Sequence, residues 1–252
     1  MTRVISIANQ KGGVGKTTTA INLATCLAVA EKRTLLVDID PQGNTTSGVG
    51  IDKNNIVKTI YDSIIDGDAI SNSLINTEIN FLDLIPANIQ LVGAEVELVP
   101  LKNREFRLRK ALESIRGNYD FIIVDCPPSL GLLTINALVA ADSLIIPIQC
   151  EYYALEGLGQ LLNTISLVKR HLNPDLELHG VLLTMYDSRL NLSKQVADEA
   201  RRFFPDKVYE TVISRNVRLS EAPSFGKPIL LYDILCTGAA NYINLAKEVL
   251  SR

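Results

Sequence analysis

Short, uninterrupted apolar runs alternate along this chain with segments whose apolar residues recur every three or four positions. Runs at 4–8, 34–38, 81–85, 121–124, 143–148, 180–184 and 208–213 predict strands. They are continuous and rich in Ile, Leu and Val rather than alternating, as expected of strands covered by helices on both faces. Helical periodicity runs through 17–30, 105–116, 131–141, 154–171, 191–204 and 238–250. In 154–171, Leu155, Leu158, Leu161, Leu162, Ile165 and Val168 form one apolar face. Strand and helix alternating over the whole length predict an α/β fold with a doubly wound, mostly parallel sheet flanked by helices. No linker, repeat or low-complexity segment divides it, so one domain over 1–252 is expected. The segment 41–80 is less regular and richer in Asp, Asn and Gly. It follows a strand end, where ligand loops gather in such sheets.

Composition narrows the class. With 252 residues, 47% of them apolar and 21% charged, the chain can build a sizeable core and is neither disordered nor a coiled coil. No apolar run approaches the roughly 18 residues that would cross a bilayer. The longest, 137–150, is broken by Asp142 and Pro147. Only 4–8 is apolar before Asn9, Gln10 and Lys11, so no signal peptide is expected and the chain is expected in the cytoplasm. Cys26, Cys126, Cys150 and Cys236 form no CxxC pair, and there are two histidines, so neither a zinc site nor a His-based triad is expected. The net charge of −3 gives no sign of a polyanion partner. Its distribution is uneven, however: residues 189–228 carry eight Lys/Arg against five Asp/Glu. Such a local excess is most often a solvated face.

The segment with the clearest chemistry is Lys11-Gly12-Gly13-Val14-Gly15-Lys16-Thr17-Thr18, between the first strand and the first helix. Glycines there let backbone N–H groups turn onto phosphate oxygens, and the helix N-terminus adds its positive dipole end. Lys16 is placed to reach the β/γ-phosphates and the Thr17 hydroxyl to ligate Mg²⁺. The common G-x-x-x-x-G-K-[ST] pattern is not met: Gln10 stands at its first glycine, and Lys11 is an additional cation. Two further strands end in carboxylates, Asp38 and Asp40 on one and Asp125 on the other. A carboxylate at the C-terminal edge beside a phosphate loop can hold Mg²⁺ through water.

These residues bring the chain close to a known group. KGGVGKTT at 11–18, VDIDPQGN at 37–44, IIVDCPPSLG at 122–131, IPIQCEYYALEG at 146–157 and NVRLSEAPSFGKP at 216–228 resemble the ParA/Soj chromosome- and plasmid-partition ATPases. That family lies within the deviant-Walker branch of P-loop ATPases, which also includes MinD. The resemblance implies ATP and Mg²⁺ as cofactors and a nucleotide-sandwich homodimer formed with ATP. It implies that Lys11 reaches across to the partner's phosphates, while Lys16, Thr17 and the rest of the loop serve the subunit's own. Asp40 would orient the attacking water with Asn44 nearby, Asp125 would hold the metal's water shell, and Asp38 would be a supporting carboxylate. Gly12 would have to stay small where the partner packs. Non-specific double-stranded DNA would be bound by the ATP dimer through Arg189 and Arg218, with Arg215, Lys194 and Lys227 as secondary candidates. A ParB-type centromere-binding protein would stimulate slow hydrolysis, and the chain would associate with the nucleoid rather than a membrane.

Ser214 stands where relatives usually carry Pro, so of the residues that would flank adenine Asn216 is the better candidate for a base contact. The stretch 233–238 lacks the basic pattern of relatives. Alternatives are a MinD-like positioning ATPase acting on a protein or membrane cargo, which would need a basic amphipathic C-terminal helix, and a nucleotide-gated regulator of replication initiation with little turnover. An iron–sulfur reductase would need a different cysteine spacing.

Overall fold

Six of the seven apolar runs become strands of one sheet. The computed structural model describes residues 2–151 and 158–252. Its strands are β1 (Arg3–Ile7), β2 (Thr34–Asp38), β3 (Ile75–Asn76), β4 (Leu82–Ile85), β5 (Phe121–Asp125), β6 (Ser143–Gln149) and β7 (Glu177–Thr184). Their order is β3-β4-β2-β5-β1-β6-β7, and every pair is parallel except β3 with β4. The helices are α1 (Lys16–Val29), α2 (Asn44–Gly48), α3 (Leu91–Glu97), α4 (Arg107–Glu113), α5 (Leu132–Ala140), α6 (Leu158–His171), α7 (Asn191–Phe203), α8 (Val217–Glu221), α9 (Ile229–Tyr232) and α10 (Thr237–Ser251).

Both sheet faces are covered, which is why the central strands show no polar alternation. Ile5, Ile7, Leu36, Ile123, Ile145 and Leu182 pack with Leu23, Leu27, Leu245 and Val249 from α1 and α10. Val4, Leu35, Val37, Ile122, Leu144 and Ile146 pack on the opposite side with residues of α4 to α7. Burying each such Leu or Ile contributes about 2 kcal/mol. A buried contact between Thr19 Oγ1 and the Tyr242 hydroxyl, 3.2 Å long, joins α1 to α10.

The elements depart from the sequence pattern in a few places. The run 208–213 is not a strand. Tyr209 N–H donates to Val181 and Ile213 N–H to Leu183, but between them Glu210 and Thr211 turn their N–H groups to the Glu248 carboxylate of α10. Among the described residues isolated bridges remain, Val208 with Val181 of β7 and Ser214 with Tyr186 just beyond it. The run 81–85 loses its first residue because Phe81 has φ 67°, outside the extended region. The helix 154–171 is seen from Leu158 onward, while its first turn, with Leu155, lies outside the described residues. The irregular 41–80 contributes β3, α2 and short helical turns, and α3 forms where no element was expected.

One close approach ties distant loops together. Gly50 follows α2 and Gly226 precedes α9, both with positive φ. A Cβ on Gly226 would sit 2.9 Å from Gly50 Cα, and one on Gly50 would sit 3.1 Å from the Gly226 carbonyl oxygen. A side chain at Gly226 would force the Gly50 backbone to shift and one at Gly50 would crowd the Gly226 carbonyl, and both would be strained at their positive φ.

Candidate functional site: a phosphate loop between three strand ends

Parallel pairing sets β1, β2 and β5 side by side with their C-terminal ends at one edge. In register, Ile7 lies beside Asp125 and Asp125 beside Asp38. The loop from β1 to α1 therefore crosses directly over the carboxylates. Gly13 and Gly15 have φ of 73° and 86°, a left-handed conformation that non-glycine residues adopt at a cost. Gly15 caps α1 without a side-chain bond, leaving first-turn N–H groups available to an anion. Val14 anchors the loop: its side chain is buried and its carbonyl accepts a 2.9 Å bond from the Thr184 hydroxyl of β7.

The two loop lysines differ. Lys16 is 6% exposed, and its ammonium donates to the Lys11 carbonyl at 3.1 Å. Burial lowers its pKa, opposed by Asp125, Cys126 and Asp40 nearby. Lys11 is half-buried, and its side chain has no hydrogen-bond or ion-pair partner among the described residues. Gly12 is exposed, with only Pro128 Cβ, at 4.0 Å, near the place a Cβ would take.

Asp125 is fully buried. Its Oδ2 accepts hydrogen bonds from the Thr17 hydroxyl at 2.8 Å and the Thr45 hydroxyl at 2.6 Å, while Oδ1 is buried with no partner among the described residues. Burial pushes this carboxyl above the usual range. An orphaned carboxylate oxygen beside a loop hydroxyl fits Mg²⁺, which takes few protein oxygens and keeps waters and substrate phosphates as its other ligands. Among the described residues no three His, Cys, Asp or Glu side chains gather as an all-protein cage. Asp38 is equally buried and is also pushed upward, by burial and then by the Asp125 charge. Both its oxygens are occupied: Oδ1 accepts from Asp40 N–H at 3.1 Å, and Oδ2 accepts from the Thr46 N–H and hydroxyl, each at 2.8 Å. That is the bonding of a support.

Asp40 heads the turn into α2. Its Oδ1 accepts from Gln42 N–H at 2.9 Å and its carbonyl from Gly43 N–H at 2.9 Å, while Oδ2 has no partner among the described residues. Asn44 opens α2 with its side chain exposed. Beyond the other end of the loop, a cavity of about 310 Å³ is lined by Gly15, Thr18, Met185, Asn216, Pro223 and Tyr242, with Ser214 also on its wall. Asn216 uses Oδ1 to cap α8 through Arg218 N–H, 2.8 Å away.

The basic candidates are only partly brought together. Arg189 and Arg215 border one surface recess of about 430 Å³. Arg189 is 86% exposed and paired with Asp187 at 2.7 Å, and Arg215 lies 3.6 Å from Glu151. Arg218 is held by Glu221 at 2.9 Å and Asp233 at 3.4 Å. Lys194 and Lys227 are exposed. Sequence reading missed Thr45 and Thr46, which bond Asp125 and Asp38. Two hydroxyl residues directly after the DPQGN turn were the available signal.

A parallel sheet with a Gly-rich phosphate loop over two buried carboxylates defines a P-loop nucleotide hydrolase. The AAA domain family model matches residues 2–178. The chain is 62% identical to the sporulation initiation inhibitor protein Soj of Bacillus subtilis (strain 168), over 99% of this chain and 98% of that protein. It is 60% identical to the chromosome partitioning protein ParA of Myxococcus xanthus (strain DK1622), over 99% and 88% of the two chains. Among solved structures, a cobyrinic acid a,c-diamide synthase from Mycobacterium smegmatis with a bound ATP analogue and magnesium superposes with a TM-score of 0.88 at 39% identity, over 99% of this chain and 95% of that one. The chain belongs to the ParA/Soj family of partition ATPases.

Proposed function

We propose that this ATPase is a nucleotide-driven dimerisation switch. ATP closes a sandwich of two copies, the closed dimer binds DNA without sequence preference, and hydrolysis, stimulated by a ParB-type partner, releases it. The observation that carries this reading is the contrast between the two lysines. Lys16 is already committed inside its own loop, whereas the Lys11 ammonium, at the loop's rim, has no partner among the described residues. A second cation at the transferring phosphoryl group is the kind of charge stabilisation that phosphoryl transfer rewards.

In this reading, Thr17 and Asp125 hold Mg²⁺, which when bound neutralises charge on the β- and γ-phosphate oxygens. The loop N–H groups and Lys16 bind the phosphates, and the cavity beside Asn216 takes the base. Asp40 accepts a hydrogen bond from the attacking water and aligns it, with Asn44 beside it. Arg189 and Arg215 form the centre of the DNA face. Arg218 is a weaker contributor because two carboxylates already hold it, and Lys194 and Lys227 extend the positive surface. A lipid-bound alternative gains no support from α10, whose apolar residues Ala239, Tyr242, Leu245 and Val249 are buried.

Binding to a scrambled duplex tests the whole reading. Tight binding with ATP, and little with ADP or without nucleotide, is expected to weaken with salt at a log–log slope of about −0.9 per phosphate neutralised. Equal binding in all three states would overturn the switch. Arg189→Glu is expected to leave ATP-dependent dimerisation intact while lowering DNA affinity at least about tenfold and flattening the salt slope by about 0.9 for each phosphate no longer neutralised. An unchanged slope would remove Arg189 from the face. Gly12→Val tests the sandwich separately. Position 12 is exposed and a Cβ there meets only Pro128 Cβ at 4.0 Å, so folding and Tm should hold within about 2 °C while the ATP-dependent dimer disappears from light scattering. A Gly12→Val dimer of normal stability would place position 12 outside the interface.

A further inference from the structure

Among the described residues, Thr45 is the side chain that hydrogen-bonds the candidate metal site from the candidate water-orienting segment. It sits on α2, one residue after Asn44, fully buried, with its hydroxyl donating to Asp125 Oδ2. The same oxygen takes the Thr17 hydroxyl, which fixes the carboxylate's rotation and leaves Oδ1 alone without a partner. Its neighbour Thr46 points to different work. The Thr46 hydroxyl donates to Asp38 Oδ2 and accepts from Ala87 N–H at 3.0 Å, so it ties α2 to the ends of β2 and β4 and has little bonding capacity left. Through these two hydroxyls α2 is tied by Thr46 to Asp38 and Ala87 and by Thr45 to Asp125.

We propose that Thr45 is a positioning residue that couples Mg²⁺ occupancy at Thr17 and Asp125 to the placement of the Asp40–Asn44 segment. Holding Asp125 Oδ2 presents Oδ1 to the metal's water shell, and the same bond draws α2 and the turn before it toward the phosphate loop when that shell fills. Outer partners of this kind typically govern metal affinity by about 10- to 100-fold. The inference rests on the reading of Thr17 and Asp125 as the metal site and of Asp40 as the water-orienting residue.

Thr45→Val keeps the shape of the side chain and removes the hydroxyl. It is expected to raise the Mg²⁺ concentration needed for half-maximal binding of a fluorescent ATP analogue by at least about tenfold. Nucleotide affinity at saturating Mg²⁺ should stay within about twofold, and Thr45→Ser should restore the wild-type titration. Thr46→Val is the structural control, expected to lower Tm without moving the Mg²⁺ midpoint. A folded Thr45→Val protein with an unshifted midpoint would overturn the proposal. So would a shift of equal size in Thr46→Val, because loss of scaffold would then explain both. Failure of the underlying reading looks different: Asp125→Asn with an unchanged Mg²⁺ midpoint would remove the metal site itself, and Asp40→Ala with normal turnover would remove the water-orienting role.

Discussion

Asp40→Ala is expected to bind ATP and dimerise as the parent does, to lose at least about a hundredfold in hydrolysis, and to remain on DNA. The loss is the size typical of removing a side chain that aligns or deprotonates a nucleophile. The turn should survive the change. Its two backbone ties, Asp40 N–H to Asp38 and Gly43 N–H to the Asp40 carbonyl, involve no atom of the deleted carboxylate. Only the bond from Gln42 N–H is lost, a cost of about 1 kcal/mol. Phosphate release, a light-scattering dimer assay and DNA retention after dilution read the three properties separately. A variant that is monomeric in ATP, or that turns over at the parental rate, would remove Asp40 from its role. Asp40→Asn is the useful companion, since it keeps an acceptor for Gln42 but gives up the charge.

Lys16→Ala is expected to fail earlier, at nucleotide binding, with affinity for ATP lowered about a hundredfold or more. A truncated partner of a buried, hydrogen-bonded charge pair commonly costs about 2–5 kcal/mol, and about 2.7 kcal/mol is a factor of a hundred. The position has a particular tension. Burial disfavours the ammonium, and what opposes it is the charge of Asp125 first, then of Cys126 and Asp40. With the lysine gone, those buried carboxylates lose the cation beside them. The free protein should therefore change little or become slightly less stable, while its nucleotide-dependent dimerisation and DNA binding disappear together. Calorimetric titration with ATP and with ADP checks this. Lys16→Ala protein that still forms the ATP dimer would shift the phosphate-binding role to the backbone N–H groups alone.

Much of this was legible in the chain because the same residues fold it and equip it. The continuous runs at 4–8, 34–38 and 121–124 became the three central strands, and their alignment put Asp38, Asp125 and the loop at one edge. What could not be read was decided by partners far away in sequence. The run 208–213 has the composition of a strand, but Glu248, on a helix that closes the chain, takes the N–H groups of Glu210 and Thr211. Leu91, Ala94 and Leu98, at helical spacing, lie in or directly after α3, a period too short to stand out between Asn88 and Pro100. At the site, the glycines, lysines and strand-end carboxylates announced themselves by type. Thr45 and Thr46 did not: adjacent residues of one kind bond two different carboxylates, and only the turn of α2 separates their directions. The paired state of Arg218 was likewise invisible, because Asp233 reaches it from the segment after α9.

The contact of Gly50 with Gly226 has a consequence for inheritance. It joins the end of α2, behind the Asp40 turn, to the segment that walls the cavity beside Asn216. A single amino-acid change at either place crowds the other's backbone, and a second change at the other only adds bulk to the same gap. A mutation at either glycine is therefore expected to disturb both loops at once, whichever of them it is inherited in.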